Sequence, residues 1–284
     1  MARQKIAPSY SEEFLEIDRP QTLSDNKLEF EIANILKGNL DKDISNSVYD
    51  NFKLEAEKWI LGSSLNRLKG LTNFPRKDII IGCTQFIDSL YMKGTVQVLE
   101  EDYRYHQRLG YANFVSVGNL KPGVPFILAM PFPQIGGPHT QIEEIFSECR
   151  EKNIPLHIDG AWITCCRDVD FNFNDPVIRS VGISLSKGLG LGWNRIGLRW
   201  TRETALDSVT IMNDFNMNNR ALAMIGLHFI RNFNPDYLWN THGDRYLKVC
   251  RDFNLEPTKS IHLALRNGSP VGVSPLIRYL ENAE

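Results

Sequence analysis

Short apolar runs alternate with helical patterns along most of this 284-residue chain, and that alternation limits its possible folds more than any other feature. The first such pair is the apolar run 78–81, which ends before Gly82, and a helical pattern over 85–92. Runs that are apolar on both faces are typical of strands buried in a parallel sheet. Strands that alternate with helices form βαβ units, so we predict an α/β fold, a three-layer sandwich around a mostly parallel central sheet. Further strand-like runs cover 95–99, 125–130, 154–158, 177–184 and 196–200.

The two ends of the chain differ from this central pattern. Residues 1–30 are polar and irregular, and we expect them to form an extended N-terminal arm. The large α/β domain, which carries the candidate site, is then expected over 31–233. A helical pattern over 236–253 and a late strand over 261–265 predict a reduced, small C-terminal α/β subdomain over 234–284.

Charge and cysteine content exclude several broad classes of function. The chain has 32 basic and 34 acidic residues, and the resulting net charge of −2 argues against a nucleic-acid binder or a polybasic membrane-surface protein. Its five cysteines include no C-x-x-C pair, so neither a disulfide framework nor a Cys-based zinc site is indicated, and we expect no metal. Since there is neither a secretory signal pattern nor a run of about 18 apolar residues, we expect a cytoplasmic protein without a membrane partner.

Because ligands bind at the carboxyl ends of parallel strands, the residues just after each predicted strand form the candidate site. The first strand is followed by Gly82-Cys83-Thr84, a turn that presents backbone N–H groups and a hydroxyl to an anion. The alternative for this segment is an ordinary strand-to-helix turn with a helix cap. After the second strand, the ring of Tyr105 either stacks on a planar ligand or packs in the core.

Two later strands lead to charged residues, Asp159 and Lys187. A carboxylate at the end of an apolar strand is costly unless it meets a cation, although capping a helix would also explain Asp159. Lysine is seldom buried without a purpose, and burial makes its amine a nucleophile toward aldehydes. Arg195 follows the lysine by eight residues. The glycine run 188–192 precedes a strand, so it lacks the context of a dinucleotide-binding loop.

An anion cradle, a stacking ring, a strand-end carboxylate, a lysine and an arginine together match the needs of pyridoxal 5′-phosphate (PLP). The segment Ser184-x-Ser186-Lys187, followed by the run 194–197 (Asn-Arg-Ile-Gly), resembles motifs of the fold-type I PLP-dependent enzymes of the class I/II aminotransferase kind. The resemblance implies that Lys187 carries the cofactor as a Schiff base. It also implies that Ser184 and Arg195 hold the cofactor phosphate.

The resemblance covers about residues 78–200 and, more loosely, the chain beyond them. It implies that Asp159 holds the pyridine nitrogen, that the turn after the first strand binds phosphate, and that Tyr105 stacks on the cofactor ring. The implied catalytic residues are Lys187 and Asp159, and the implied cofactor-binding set is Gly82, Cys83, Thr84, Tyr105, Asp159, Trp162, Ser184, Ser186, Lys187 and Arg195.

The chain departs from the family pattern in three places. The family's Asn-Pro-x-Gly, whose Asn contacts the cofactor 3′-oxygen, is replaced by a segment in which Gln134 is the nearest substitute. Trp162 stands where the family often has a tyrosine, and an indole N–H donates a hydrogen bond but cannot ionise. The C-terminal part is short. Its segment 272–279 resembles the strand that carries the arginine for the substrate α-carboxylate, so Arg278 is the substrate-binding candidate and Arg266 the reserve.

These residues predict a PLP-dependent aminotransferase that acts on an amino acid and a keto acid through Lys187. Because the 3′-oxygen surroundings are altered, a PLP-dependent lyase, decarboxylase or cyclase of a biosynthetic pathway is the first alternative. A non-catalytic homologue that has kept the PLP site is the second. The family builds its site at a subunit interface, so the resemblance also implies a homodimer.

Overall fold

The computed structural model describes residues 6–17, 20–38, 47–204 and 206–284. Three short 3₁₀ turns cover Glu12–Phe14, Leu71–Asn73 and Ile163–Cys165. Among the helices in these ranges, none combines the length and the apolar character that crossing a bilayer requires. The α-helices are α1 Asn26–Leu36, α2 Val48–Leu61, α3 Cys83–Tyr91, α4 Tyr105–Leu109, α5 Ile142–Glu151, α6 Leu185–Gly188, α7 Ser208–Asp214, α8 Arg220–Asn232, α9 Tyr237–Asp252 and α10 Ser274–Ala283.

The strands form a central sheet and two small ones. They are β1 Arg67–Lys69, β2 Arg76–Ile80, β3 Gln97–Leu99, β4 Asn113–Val115, β5 Phe126–Ala129, β6 Leu156–Asp159, β7 Asp170–Asn172, β8 Ile178–Ser184, β9 Gly197–Thr201, β10 Glu256–Pro257, β11 Leu263–Arg266 and β12 Ser269–Gly272. The central sheet has seven strands in the order β2-β9-β8-β6-β5-β3-β4. β9 runs antiparallel to β2 and β8, and all other neighbours in this sheet are parallel. The predicted α/β class and mostly parallel sheet are therefore confirmed.

Each face of the central sheet has its own apolar core, because successive residues of a strand point to opposite faces. Ile79 and Leu128 pack in the larger core, whereas their neighbours Ile80 and Ile127 pack in the smaller one. Helix α3 covers the smaller core with Phe86, which is fully buried. Two covered faces give the three predicted layers, and they explain why the central strands are apolar at nearly every position.

The C-terminal part consists of α9, the antiparallel strands β10, β11 and β12, and α10. It ends in a helix and not in the strand expected over 272–279, because β12 stops at Gly272 and α10 starts at Ser274. Pro275 suits the first turn of a helix, since the N–H that proline lacks would be unpaired there. Leu276 and Ile277 then bury one face of this helix.

The N-terminal segment packs on its own chain, and part of it is helical. Helix α1 begins at Asn26, so the expected extended arm is wrong for residues 26–30. Asp25 caps α1 by accepting a hydrogen bond from the Leu28 N–H at 2.8 Å. Glu16 pairs with Gly272 through two backbone hydrogen bonds of 2.9 and 2.7 Å, which hold this segment against β12. Residues 1–5 and 18–19 of the expected arm lie outside the described ranges.

Candidate active site

A cavity of about 260 Å³ lies at the carboxyl ends of the parallel strands. The residues that form it come from distant parts of the sequence: Arg195 and Thr84, which are hydrogen-bonded to each other, are 111 positions apart. Nine of the ten residues in the implied cofactor-binding set line this cavity, namely Cys83, Thr84, Tyr105, Asp159, Trp162, Ser184, Ser186, Lys187 and Arg195. These residues lie together because they follow or end different parallel strands, and the carboxyl ends of these strands meet along one edge of the sheet.

Lys187 lies on a one-turn helix that follows the longest strand of the sheet. β8 ends at Ser184, whose hydroxyl accepts a hydrogen bond from the Ser186 N–H at 3.1 Å and so starts α6. The Nζ atom of Lys187 is 5.4 Å from the centre of the Trp162 ring. The carbonyl oxygen of Lys187 accepts a hydrogen bond from His262 Nε2 at 3.2 Å. The backbone of the lysine is thereby fixed while its side chain lines the cavity.

Asp159 ends β6 and is only 4 % exposed. Its carboxylate accepts a hydrogen bond from the Ala161 N–H at 3.0 Å. Burial raises the pKa of Asp159, while a hydrogen bond from the Cys83 thiol and the positive charges of Lys187 and Arg195 act in the opposite direction. A buried carboxylate of this kind is stabilised by a cation placed against it.

Another part of the cavity wall has the chemistry of a cradle for an anion. Gly82 has a φ of +74°, and a Cβ at this position would lie 2.9 Å from the Nη2 atom of Arg195. The positive φ therefore favours glycine, and a Cβ at this position would displace the guanidinium of Arg195. Arg195 Nη2 also donates to the Thr84 hydroxyl at 3.0 Å. Arg195, Thr84 and Ser184 present a cation and hydroxyls to the same cavity, which is the donor set that a phosphate needs.

Two tyrosines follow β3 and line the cavity together. The rings of Tyr103 and Tyr105 are stacked with their centroids 5.9 Å apart. The Tyr105 hydroxyl donates to Asp88 at 2.7 Å, and burial together with this carboxylate raises the pKa of Tyr105 to about 12. Tyr105 therefore stays protonated at neutral pH. Both residues line the cavity, and the prediction that Tyr105 stacks on the cofactor stays a prediction.

Asp102 is a second buried carboxyl group in the cavity wall, and the sequence reasoning missed it. It accepts hydrogen bonds from the Tyr103 N–H at 2.6 Å and the Ala129 N–H at 3.0 Å. Burial, with a further contribution from the charge of Asp159, raises the pKa of Asp102 to about 7, against the two backbone hydrogen bonds. An acidic residue three positions after β3 was a visible signal, because residues near the carboxyl end of a parallel strand, such as Asp159 at the end of β6, form the candidate site.

The residues expected near a cofactor 3′-oxygen both line the cavity. Gln134 donates from its amide to the carbonyl oxygen of Glu101 at 3.1 Å. The Trp162 ring packs edge-on against His262, with the ring centroids 5.8 Å apart at an angle of 74°. Neither arrangement tests a contact with a cofactor, so the roles of Gln134 and Trp162 stay predictions.

The N-terminal segment forms another wall that the sequence reasoning missed. The backbone N–H of Leu23 donates to His262 Nδ1 at 3.2 Å, so one histidine connects this segment to the backbone of Lys187. No local sequence pattern predicts these contacts, because they form between residues that are far apart in the sequence, one near each end of the chain. The lining residues of this segment are Ile17, Pro20, Gln21 and Thr22.

Arg278, the candidate for the substrate carboxylate, does not line the cavity. It lies on α10, is 2 % exposed, and pairs with Glu29 at 3.2 Å and with Glu281 at 3.1 Å. The expectation for Arg278 is corrected because the helix that replaces the expected strand directs this side chain toward α1. The reserve, Arg266, pairs with Glu12 at 3.3 Å and also lies outside the cavity lining.

Known proteins match this chain in structure but not in sequence. No protein-family model and no curated protein sequence matches the chain. Solved structures do match: tyrosine aminotransferase from Leishmania infantum has a TM-score of 0.62 at 12 % identity, over 95 % of this chain and 93 % of that one. Alanine aminotransferase from Pyrococcus furiosus has a TM-score of 0.63 at 10 % identity, over 88 % and 76 %. A PLP-bound C-S lyase from Staphylococcus hominis has a TM-score of 0.58 at 11 % identity, over 87 % and 74 %.

The chain therefore has the fold of the PLP-dependent aminotransferases, fold type I, which confirms the resemblance noted in the sequence. At these levels of identity the likeness establishes the fold alone, and fold does not fix function. The chemistry has to be argued from the side chains of the cavity.

Proposed function

We propose that this protein is a PLP-dependent aminotransferase that acts on an amino acid and a keto acid. The observation that carries the proposal is the shared cavity of Lys187, Asp159, Thr84 and Arg195 at the strand ends of this fold. A lysine, a buried carboxyl group and a cationic anion cradle meet the three chemical needs of PLP, which are an amine for its aldehyde, an acid for its pyridine nitrogen and donors for its phosphate.

Different residues of the cavity suit different parts of the cofactor. Arg195, with the hydroxyls of Thr84 and Ser184, would hold the phosphate, since a buried dianion needs a cation and several donors. The close approach of the guanidinium to Gly82 supports this assignment, because it aims the arginine at the turn before α3. Asp159 would hold the ring nitrogen in its protonated form. Bound there, PLP supplies an electron sink for negative charge that develops on the substrate Cα.

Lys187 would act as the proton carrier of the reaction. Its Nζ would take the proton from the substrate Cα and, in transamination, deliver it to a different carbon. The fixed backbone of α6 and the Trp162 ring limit where this amine can be. The walls formed by the N-terminal segment and by the two stacked tyrosines would exclude water from the reacting atoms.

A PLP-dependent lyase, decarboxylase or cyclase is the second candidate function. The observation that favours it is the replacement of the family's Asn near the 3′-oxygen by a segment with Gln134, and of its tyrosine by Trp162. One of the structures that share the fold is a C-S lyase. These candidates differ in their products, so product analysis separates them.

The first experiment asks whether the chain binds PLP at Lys187. The purified protein is incubated with PLP, reduced with borohydride and digested, and the modified peptide is located by mass spectrometry. Labelling of Lys187 is expected, with none in Lys187→Ala and normal labelling in Lys121→Ala, a matched change at an exposed lysine. Labelling at another lysine, or none at all, would refute the proposal.

The second experiment asks which reaction is catalysed. The loaded protein is given a panel of amino acids with a keto-acid acceptor, and keto acids, carbon dioxide and released thiols are measured. Formation of a new keto acid together with a new amino acid is expected for transamination. Carbon dioxide or thiol release without amino transfer would select the second candidate. A protein that carries PLP but turns over no amino acid would be the non-catalytic homologue.

We also propose that the protein is a cytoplasmic homodimer, with residues 234–284 as a reduced small domain beside the large one. Several large apolar side chains are exposed, as at an interface. Trp193 and Phe215 are each 70 % exposed and Met217 is 63 % exposed. The five cysteines are all free, which suits a reducing compartment. A dimer is expected in sedimentation, and Phe215→Asp should weaken it. A monomer at micromolar concentration with PLP bound would contradict the dimer.

A further inference from the structure

The cavity contains more positive charge than a PLP-type cofactor uses. The basic residues among its described lining residues are Lys187, Arg195, Arg104 and Arg108. Arg195 is committed to the anion cradle through its hydrogen bond to Thr84. Lys187 is the amine at the centre of the proposed chemistry. The other two, Arg104 and Arg108, have not yet been given a role in the proposed function.

Arg104 and Arg108 lie one helical turn apart beside the two tyrosines. Arg104 immediately precedes α4, and the Arg108 N–H donates to the Arg104 carbonyl oxygen at 3.3 Å. Residues four apart on a helical turn project from the same side, so both guanidinium groups reach the same region. Both residues are exposed, which puts their charges at the mouth of the cavity. Within the described part of the chain, the guanidinium of Arg108 makes no hydrogen bond or ion pair.

An amino-acid substrate brings a carboxylate into a cavity that already contains Asp102 and Asp159. Without a matching cation, those acidic groups would repel it. The two arginines expected to supply that cation are elsewhere: Arg278 is paired with two glutamates and Arg266 with one. Arginine is well suited to the task, because its planar fork binds both oxygens of a carboxylate at once.

We propose that Arg104 and Arg108 bind the carboxylate of the substrate. The site would then take its carboxylate anchor from the segment after β3, in the large domain, and not from the C-terminal part. This inference rests on the proposed PLP-dependent function. It makes α4 the element that selects amino and keto acids over amines without a carboxylate.

The test compares two reagents that attack the same carbon atom of the cofactor and differ in one carboxylate. Aminooxyacetate carries a carboxylate, whereas methoxyamine does not. The rates at which both reagents react with the PLP-loaded protein are followed by absorbance. The ratio of the two rates measures what the carboxylate contributes, and it requires no knowledge of the natural substrate. The variants are Arg104→Gln, Arg108→Gln, the double variant and Arg108→Lys. Arg266→Gln is the matched control outside the cavity.

The double variant should lower the aminooxyacetate-to-methoxyamine ratio about tenfold or more, because a charge-assisted hydrogen bond is lost at each position. Methoxyamine rates and PLP content should stay at the wild-type level, Arg108→Lys should keep part of the ratio, and Arg266→Gln should keep all of it. An unchanged ratio in the double variant would overturn the inference, whether or not the dimer is lost. An equal slowing of both reagents would also overturn it, because the arginines would then not act on the carboxylate. If the wild-type protein retains no PLP, it is the proposed function that fails.

Discussion

Asp102 offers a sharp test of the electrostatics of the cavity, through the variant Asp102→Asn in the cofactor-free protein. Its carboxyl group is 2 % exposed and faces a second acid, Asp159, so that burial first and this neighbour second raise its pKa to about 7 from 3.8. The folded protein thus holds a proton at Asp102 more tightly than the unfolded chain does. The group contributes its full stability below about pH 4, and this contribution is lost as the pH rises toward about 7.

The size of the effect follows from the two pKa values. Between about pH 5 and about pH 8, the free energy of unfolding of the wild-type protein should fall by about 3 kcal/mol through Asp102 alone. An asparagine has no charge to lose, so Asp102→Asn should remove most of this fall. It should also ease the ionisation of Asp159, which adds to the same effect. The variant has its own cost, about 1–3 kcal/mol, because its amide cannot accept from both the Tyr103 and the Ala129 N–H groups.

Urea denaturation of both proteins at several pH values measures the difference directly, since the cost of the asparagine is nearly the same at each pH and cancels from the slope. Asp244→Asn is the matched control, because it makes the same chemical change at an exposed position. Its stability should follow the wild-type pH dependence. Parallel curves for wild type and Asp102→Asn from about pH 5 to about pH 8 would refute the reasoning.

Three further changes test other parts of the site. Gly82→Ala places a Cβ 2.9 Å from Arg195 Nη2 at a φ of +74°, so PLP affinity should fall about tenfold or more in equilibrium dialysis; unchanged affinity would mean that the turn does not shape the cradle. Arg195→Lys keeps the charge but loses the fork, and PLP retention should drop about ten- to a hundredfold, while full retention would argue against a phosphate role. His262→Ala removes the hydrogen bonds that connect Leu23 with the Lys187 backbone, and thermal unfolding should show a loss of about 2–4 kcal/mol; a neutral result would show that this connection adds no stability.

Much of the fold and the site was predictable because one geometric rule connects them: ligands bind at the carboxyl ends of the parallel strands. Asp159 and Lys187 are 28 positions apart in the sequence, but β6 and β8 are neighbouring parallel strands whose ends meet. Recognising apolar strands was therefore enough to predict which polar residues share a cavity. The same rule would have indicated Asp102, which follows β3 and was overlooked beside the tyrosines after it.

The remaining parts depend on contacts between the ends of the chain. The wall formed by residues 17 and 20–22 exists because Glu16 pairs with Gly272 and Leu23 bonds to His262. Contacts of this kind leave no periodic pattern in the sequence from which they could be predicted. Helix α10 was mistaken for a strand because its apolar residues, followed by Arg278, match a family motif, while Pro275 at its start indicates a helix.

Arg278 shows why a motif alone misplaces a charged residue. A buried arginine needs carboxylate partners whether it binds a substrate or stabilises the fold, so both roles select similar sequence surroundings. In this chain the partners of Arg278 belong to the fold and not to a substrate: they are Glu29 on α1 and Glu281 on α10. Beside them lies a buried pair formed by Asp25 and His242, in which the His242 Nε2 and the Asp25 carboxylate oxygen are 2.8 Å apart. Asp25, His242 and Glu281 lie close enough to one another to suggest a cation site. Arg278 already supplies a cation to Glu281, and a tyrosine hydroxyl and the histidine bond to Asp25, so the cluster serves to join α1, α9 and α10. The arginine that meets a substrate has to lie in the cavity wall, which is the position of Arg104 and Arg108.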